Sequence, residues 1–159
     1  MRQVSRMALL AAATALVIGV SVVAEAQMSP DAVIAERVQA MKGRGGAMRA
    51  LTPIVRGEAP WDKEAAVKQA TVLVDAAKAP IDKQFPPGTG SDKLKTRALP
   101  AIWEKPADWQ KDNAAVAEAA TKLQQLAQAG DEAGFKAQFA AVGKACGTCH
   151  EAFRGPELK

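Results

Sequence analysis

The chain's only two cysteines and its only histidine stand together as Cys146-Gly147-Thr148-Cys149-His150, nine residues before the C-terminus. They continue a pattern that begins well upstream. Phe135, Phe139, Val142, Cys146, Cys149 and Phe153 follow one another in steps of four and three, the spacing of one apolar face of a helix. The last helix therefore carries both thiols on the face that packs. Any fold accepting this segment must leave room there for whatever the thiols hold.

Two thiols one helical turn apart, with an imidazole next in sequence, suit covalent haem attachment. Each sulfur reaches one vinyl group of a single porphyrin as a thioether, and the histidine turns under the ring to bind iron. A thioredoxin-like pair would open a helix after a strand, where the helix dipole lowers a thiol pKa. This pair comes near the end of a helix. Zinc asks for four ligands and finds three, and a structural disulfide leaves the adjacent His150 unexplained. The expected cofactor is one covalent haem c per chain on Cys146 and Cys149, with His150 as the proximal axial ligand.

The N-terminus reads as a targeting segment. Arg2 and Arg6 precede an apolar run from Met7 to Val23, and Ala24-Glu25-Ala26 has the small-x-small form of a cleavage site. The apolar run is shorter than the ~20 residues that span a bilayer. Residues 1–26 are thus expected to be a cleaved signal peptide that leaves no stable membrane anchor, and residues 27–159 one haem-binding domain. The expected destination is the periplasm. Losing Arg2, Arg6 and Glu25 lowers the formal charge from +4 to +3. That mild excess, without clustered basic residues or interleaved aromatics, argues against nucleic-acid binding. It would suit an acidic redox partner protein, though a charge of this size reads first as a solvated exterior.

The remainder is rich in Ala, Lys, Gln and Glu and poor in β-branched alternation, so the expected class is all-α. Ser29-Pro30-Asp31 opens a first helix whose packing face is expected at Ile34, Met41, Met48 and Val55, with Pro53 kinking or ending it early. Asp62 caps a second helix with Ala66, Ala70, Leu73, Val74 and Ala77 inward. Proline and glycine between Phe85 and Pro106 mark a long connection with a short turn around Ile102-Trp103. A third helix ends at Gly130 with Trp109, Val116, Ala120, Leu123 and Leu126 inward, and Asp131 caps the fourth. The architecture expected is an antiparallel four-helix bundle with one long crossover loop, a fold that builds cofactor sites between facing helices.

The sixth iron position must be filled from upstream or left empty, because no Met follows His150 and the chain has no Tyr. If the first and fourth helices face each other, Met41 is the best candidate for the distal ligand, beside Gly43, Gly45 and Gly46, which reduce bulk. Met48 reads as a core filler.

Arg37-Val38-Gln39-Ala40-Met41-Lys42, Gly45-Gly46-Ala47-Met48, Gly57-Glu58, Ile102-Trp103 and the segment Val142 to Arg154 resemble the class II cytochromes c, that is, cytochrome c-prime and its low-spin relatives. The resemblance spans residues 27–159. It implies a four-helix bundle with haem near the C-terminus, Met41 distal, Arg37 near a haem propionate, and Arg154 as a basic residue near the proximal His150. It also implies a homodimer paired through helices. In c-prime members iron is five-coordinate and the distal residue only blocks the site; in low-spin members a methionine sulfur completes six coordination. Met41 suits both. Two functions stay open: electron transfer through His/Met-ligated iron, and binding of NO or CO at a vacant distal position. With no distal His or other acid–base group identified, an enzyme is not expected.

Overall fold

The computed structural model describes residues 28–158; the segment read as a signal peptide lies outside them. Helix α1 runs from Pro30 to Arg56. Its first turn is closed by the Ser29 hydroxyl, which accepts from the Ala32 N–H. Its last turn is closed by Gly57 at φ 74°, a left-handed position that glycine takes without a Cβ clash. The helix passes through Pro53 and continues for three residues, so the expected early end does not occur. The reason is local: the N–H groups of Gly57, Glu58 and Ala59 satisfy the Ile54 and Pro53 carbonyls, while Leu51 and Ile54 bury the turn.

The inward stripe of α1 also differs from the one expected. Val33, Arg37, Ala47, Leu51 and Ile54 are buried, whereas Ile34, Met41, Met48 and Val55 are half-buried at its flank and Val38 is 42% exposed. Steps of four and three through Val33, Arg37, Ala40, Arg44, Ala47, Leu51 and Ile54 make a continuous seam. Two of its positions are arginines, and reading arginine as solvent-facing rotates the stripe by one residue.

Helix α2, Lys63–Lys78, is capped by the Asp62 carboxylate on the Ala65 N–H, and all five residues expected inward are buried. The connection to the next long helix contains two single turns, α3 at Ile81–Gln84 and α4 at Ala101–Glu104. The second is the turn expected at Ile102-Trp103. Helix α5, Pro106–Ala129, buries Trp109, Val116, Ala120 and Leu123 as expected, with Ala127 buried where Leu126 is only half-buried. Gly130 at φ 74° ends it, and the Asp131 carboxylate caps α6, Glu132–Phe153, at the Gly134 N–H.

The long helices pack in sequence order, α1 on α2, α2 on α5, α5 on α6. The alanines of α2 permit its close seam with α5. Helices α1 and α6 make no comparable backbone approach, so the fourth seam of the bundle is the loosest. A central core is built on Leu51, Leu123, Phe135 and Val142, all fully buried, each stabilising the fold by about 1.5–3 kcal/mol through removal from water. A second cluster, Phe85, Ala98, Ile102, Trp109 and Phe153, fills the end of the bundle beneath the crossover. There the Trp109 ring meets Phe85 and Phe153 edge-on at centroid distances of 4.9 and 5.2 Å.

Candidate functional site

Cys146 and Cys149 are free, half-buried, and bracket the boundary between the two clusters. Cys146 packs against the central core along with Met48. Cys149 packs against the second cluster, and so does Met41 from α1. Met41 and Cys149 thus share one apolar cluster, although α1 and α6 themselves do not approach closely along their backbones. Burial pushes the Cys149 thiol up to about 11, with Asp112 and Cys146 adding to the rise. Burial likewise raises Cys146, against an opposing pull from Arg44. Both are therefore held as protonated thiols near neutral pH, the inert form towards oxidation.

His150 is half-buried. Desolvation holds its pKa below the ordinary value, and the positive charges of Arg154, Arg97 and Arg44 lower it further. A neutral imidazole is the form with a lone pair for a metal. The backbone after it is tied to the crossover: the Leu99 N–H donates to the Phe153 carbonyl at 3.1 Å, and the Gly155 N–H to the Arg97 carbonyl at 2.7 Å. Arg97 Nε donates back to the Gly155 carbonyl at 2.8 Å. Arg154 is exposed and lies within this antiparallel bridge, opposite Ala98.

Arg37 is only 4% exposed. Its Nε donates to the Gln84 carbonyl at 2.9 Å, Nη1 to the Thr89 carbonyl and Thr96 Oγ1, and Nη2 to Thr89 Oγ1 at 2.6 Å. Four of the five guanidinium N–H donors are thereby taken by the crossover loop. Desolvation lowers its pKa to about 10, which leaves it charged at neutral pH.

Arg44, which the motif reading did not single out, enters the site from α1. Its Nη1 lies 3.7 Å from the Met41 sulfur, its Nη2 donates to the Ala76 carbonyl of α2, and its Nε is buried with no partner. Burial lowers its pKa, opposed by the nearby Cys146 and Cys149. Among the described residues no carboxylate comes within 4 Å of Arg37 or Arg44. Arg44 occupies the inward seam of α1 one turn after Met41, and that seam, traced through both arginines, is the one sequence signal for it. Of the three glycines expected to make room, Gly43 is exposed, and Gly45 and Gly46 are half-buried.

The residues present fit a covalently held haem. Two reduced thiols are set one turn apart on one helix, a neutral imidazole follows them, a thioether on α1 packs against the same cluster as Cys149, and a half-buried cation on α1 keeps a buried, unsatisfied donor. The opposing seam is the least tightly closed of the four.

The family model described as Cytochrome C' matches residues 32–154. A cytochrome c' of Pararhodospirillum photometricum is 40% identical over 126 residues, covering 79% of this chain and 98% of that protein. Among solved structures, the cytochrome c' from Rhodobacter Spheriodes superposes with a TM-score of 0.75 at 30% identity, covering 82% of this chain and all of that one. A nitric oxide complex of a cytochrome c prime variant from Alcaligenes xylosoxidans gives 0.74 at 29% identity, over 81% and 98% of the two chains. With its four-helix bundle and its terminal Cys-x-x-Cys-His, this chain belongs to the cytochrome c' family, whose cofactor is a covalent haem c.

Proposed function

We propose that the chain is a periplasmic electron carrier whose haem is held by Cys146 and Cys149 and whose iron is bound by His150 on one side and Met41 on the other. The observation that supports this reading is that Met41 of α1 and Cys149 of α6 pack against the same apolar cluster. The haem supplies a one-electron ferric/ferrous couple. The chain's own residues exclude water from it with Phe85, Trp109 and Phe153, and hold the His150 segment through the Arg97–Gly155 clamp. A thioether ligand favours the ferrous form and raises the potential.

The reading includes removal of residues 1–26, transfer to and from a redox partner protein, pairing as a homodimer, and no enzymatic turnover. Val38 on α1 and Val72 on α2, both about two-fifths exposed, support a pairing face on those helices. Arg154 serves as the exposed cation beside His150. The propionate contact assigned to Arg37 by resemblance falls to its single remaining N–H.

A second reading, uptake of nitric oxide or carbon monoxide at a vacant distal position, is supported by the relative captured with nitric oxide. Visible spectra of the oxidised and reduced protein, with and without CO, decide between the two. Electron transfer through Met41 requires a low-spin ferrous spectrum, a methionine-to-iron charge-transfer band and inertness to CO. A high-spin ferrous spectrum with rapid CO binding establishes the second.

A further inference from the structure

Arg44, half-buried, is built unlike the buried Arg37. Arg37 is bonded to loop acceptors at nearly every donor and accounts for itself as a structural tie. Arg44 has one firm acceptor, the Ala76 carbonyl, a weak one in the Met41 sulfur, and a buried Nε with none. It stands on the inward seam of α1 at the level of the two thiols. A half-buried cation with a buried, unpartnered Nε and no counter-ion is costly, and an apolar residue of the same length would complete the seam at no such cost. The charge therefore has its use when the cleft is filled.

We propose that Arg44 is the cation of the distal haem pocket: its guanidinium positions the Met41 sulfur and biases the bound iron toward the ferrous state. Ferric iron carries one more positive charge than ferrous, so a fixed cation in a water-poor pocket opposes oxidation. A unit charge about 10 Å away at an effective dielectric of about 20 changes the ferrous/ferric ratio about tenfold, equivalent to about 59 mV for one electron. The guanidinium on Met41 also restricts where the thioether points, an effect that Lys, with a rotatable point charge, reproduces only in part.

The proposal rests on the haem-site reading above, and its test separates the two. Reduction potentials and visible spectra are measured for the haem-loaded wild type, Arg44→Gln and Arg44→Lys, the electron being supplied by an electrode. At the wild-type midpoint, Arg44→Gln is expected to be about tenfold less reduced, and Arg44→Lys to recover most of the difference. Where Arg44→Gln does not assemble, Arg44→Met, of similar reach and no charge, replaces it with the same expectation. A change below twofold in the uncharged variant overturns the proposal, as does a shift in Arg44→Lys equal to that in Arg44→Gln, which marks a packing role. If the wild type lacks the methionine charge-transfer band but the uncharged variant still shifts, Met41 ligation fails and the Arg44 charge stands.

Discussion

The Arg37 guanidinium carbon stands 4.2 Å from the centre of the Phe85 ring, a buried cation capping the aromatic cluster beneath the crossover. Its hydrogen bonds reach 47 to 59 residues along the chain, so one side chain of α1 holds the crossover in place. Arg37→Met removes the donors and strands the Gln84 and Thr89 carbonyls. The expected loss is about 3 kcal/mol in denaturant unfolding of the haem-loaded protein. Arg37→Lys should recover only part of it, since an ammonium cannot span the same fork of acceptors. Unchanged stability in Arg37→Met would show that the loop is held by other means.

Gly90 tests the same loop from its other side. A Cβ there would come within 2.7 Å of Trp103 Cζ3 and 2.6 Å of Asp92 Oδ1. The Asp92 carboxylate can swing into solvent. The Trp103 indole is fixed by its Nε1 donating to the Phe85 carbonyl at 3.0 Å. Gly90→Ala is therefore expected to cost about 1–3 kcal/mol, the usual range for overpacking, and to shift Trp emission. Wild-type emission and stability would show that the indole yields freely.

What the sequence made legible follows from how local each signal is. Ser29, Asp62 and Asp131 cap helices through bonds three residues away, and Gly57 and Gly130 end them within one turn. The five inward residues of α2 are uninterrupted by charge, so its face reads correctly. On α1 the seam passes through Arg37 and Arg44, whose acceptors come from Gln84, Thr89 and Ala76. No window of α1 contains those acceptors, and its apolar residues alone point to a face one residue away from the true seam. The candidate site divides the same way: Cys146, Cys149 and His150 form a contiguous motif, while Arg44 and Arg97 join it only through tertiary contacts.

The thiol chemistry predicts a pH signature that haem attachment abolishes. In the folded haem-free chain, burial pushes the Cys149 thiol from the ordinary 9.0 up to about 11, with Asp112 and Cys146 adding to the rise. Above pH 9 the unfolded chain loses this proton first and binds fewer protons than the folded one, so stability falls as pH rises from about 9 to about 11. Its contribution is fully present below pH 9. Cys149→Ser should flatten that alkaline limb in unfolding curves of the haem-free protein. The haem-loaded protein should lack it too, since a thioether has no proton to lose. An alkaline limb of equal slope in all three would assign it to other groups.

Met41 can be changed with little risk to the bundle. It is half-buried at the flank of the α1 seam, and exchange of Met for Leu conserves volume at a cost usually below about 1.5 kcal/mol. If the sulfur binds iron, Met41→Leu removes a ligand and leaves the fold. The ferrous protein should become high-spin, lose the methionine charge-transfer band, and bind CO that the wild type refuses. The potential should fall as well, because the thioether's preference for ferrous iron is gone. Arg44, left without the sulfur it touches, would keep its charge beside the cleft, so the fall in Met41→Leu and that in Arg44→Gln should add in the double variant, apart from whatever coupling passes through the 3.7 Å contact. A wild type that already binds CO, with Met41→Leu changing neither spectrum nor potential, would assign the distal position to gas binding.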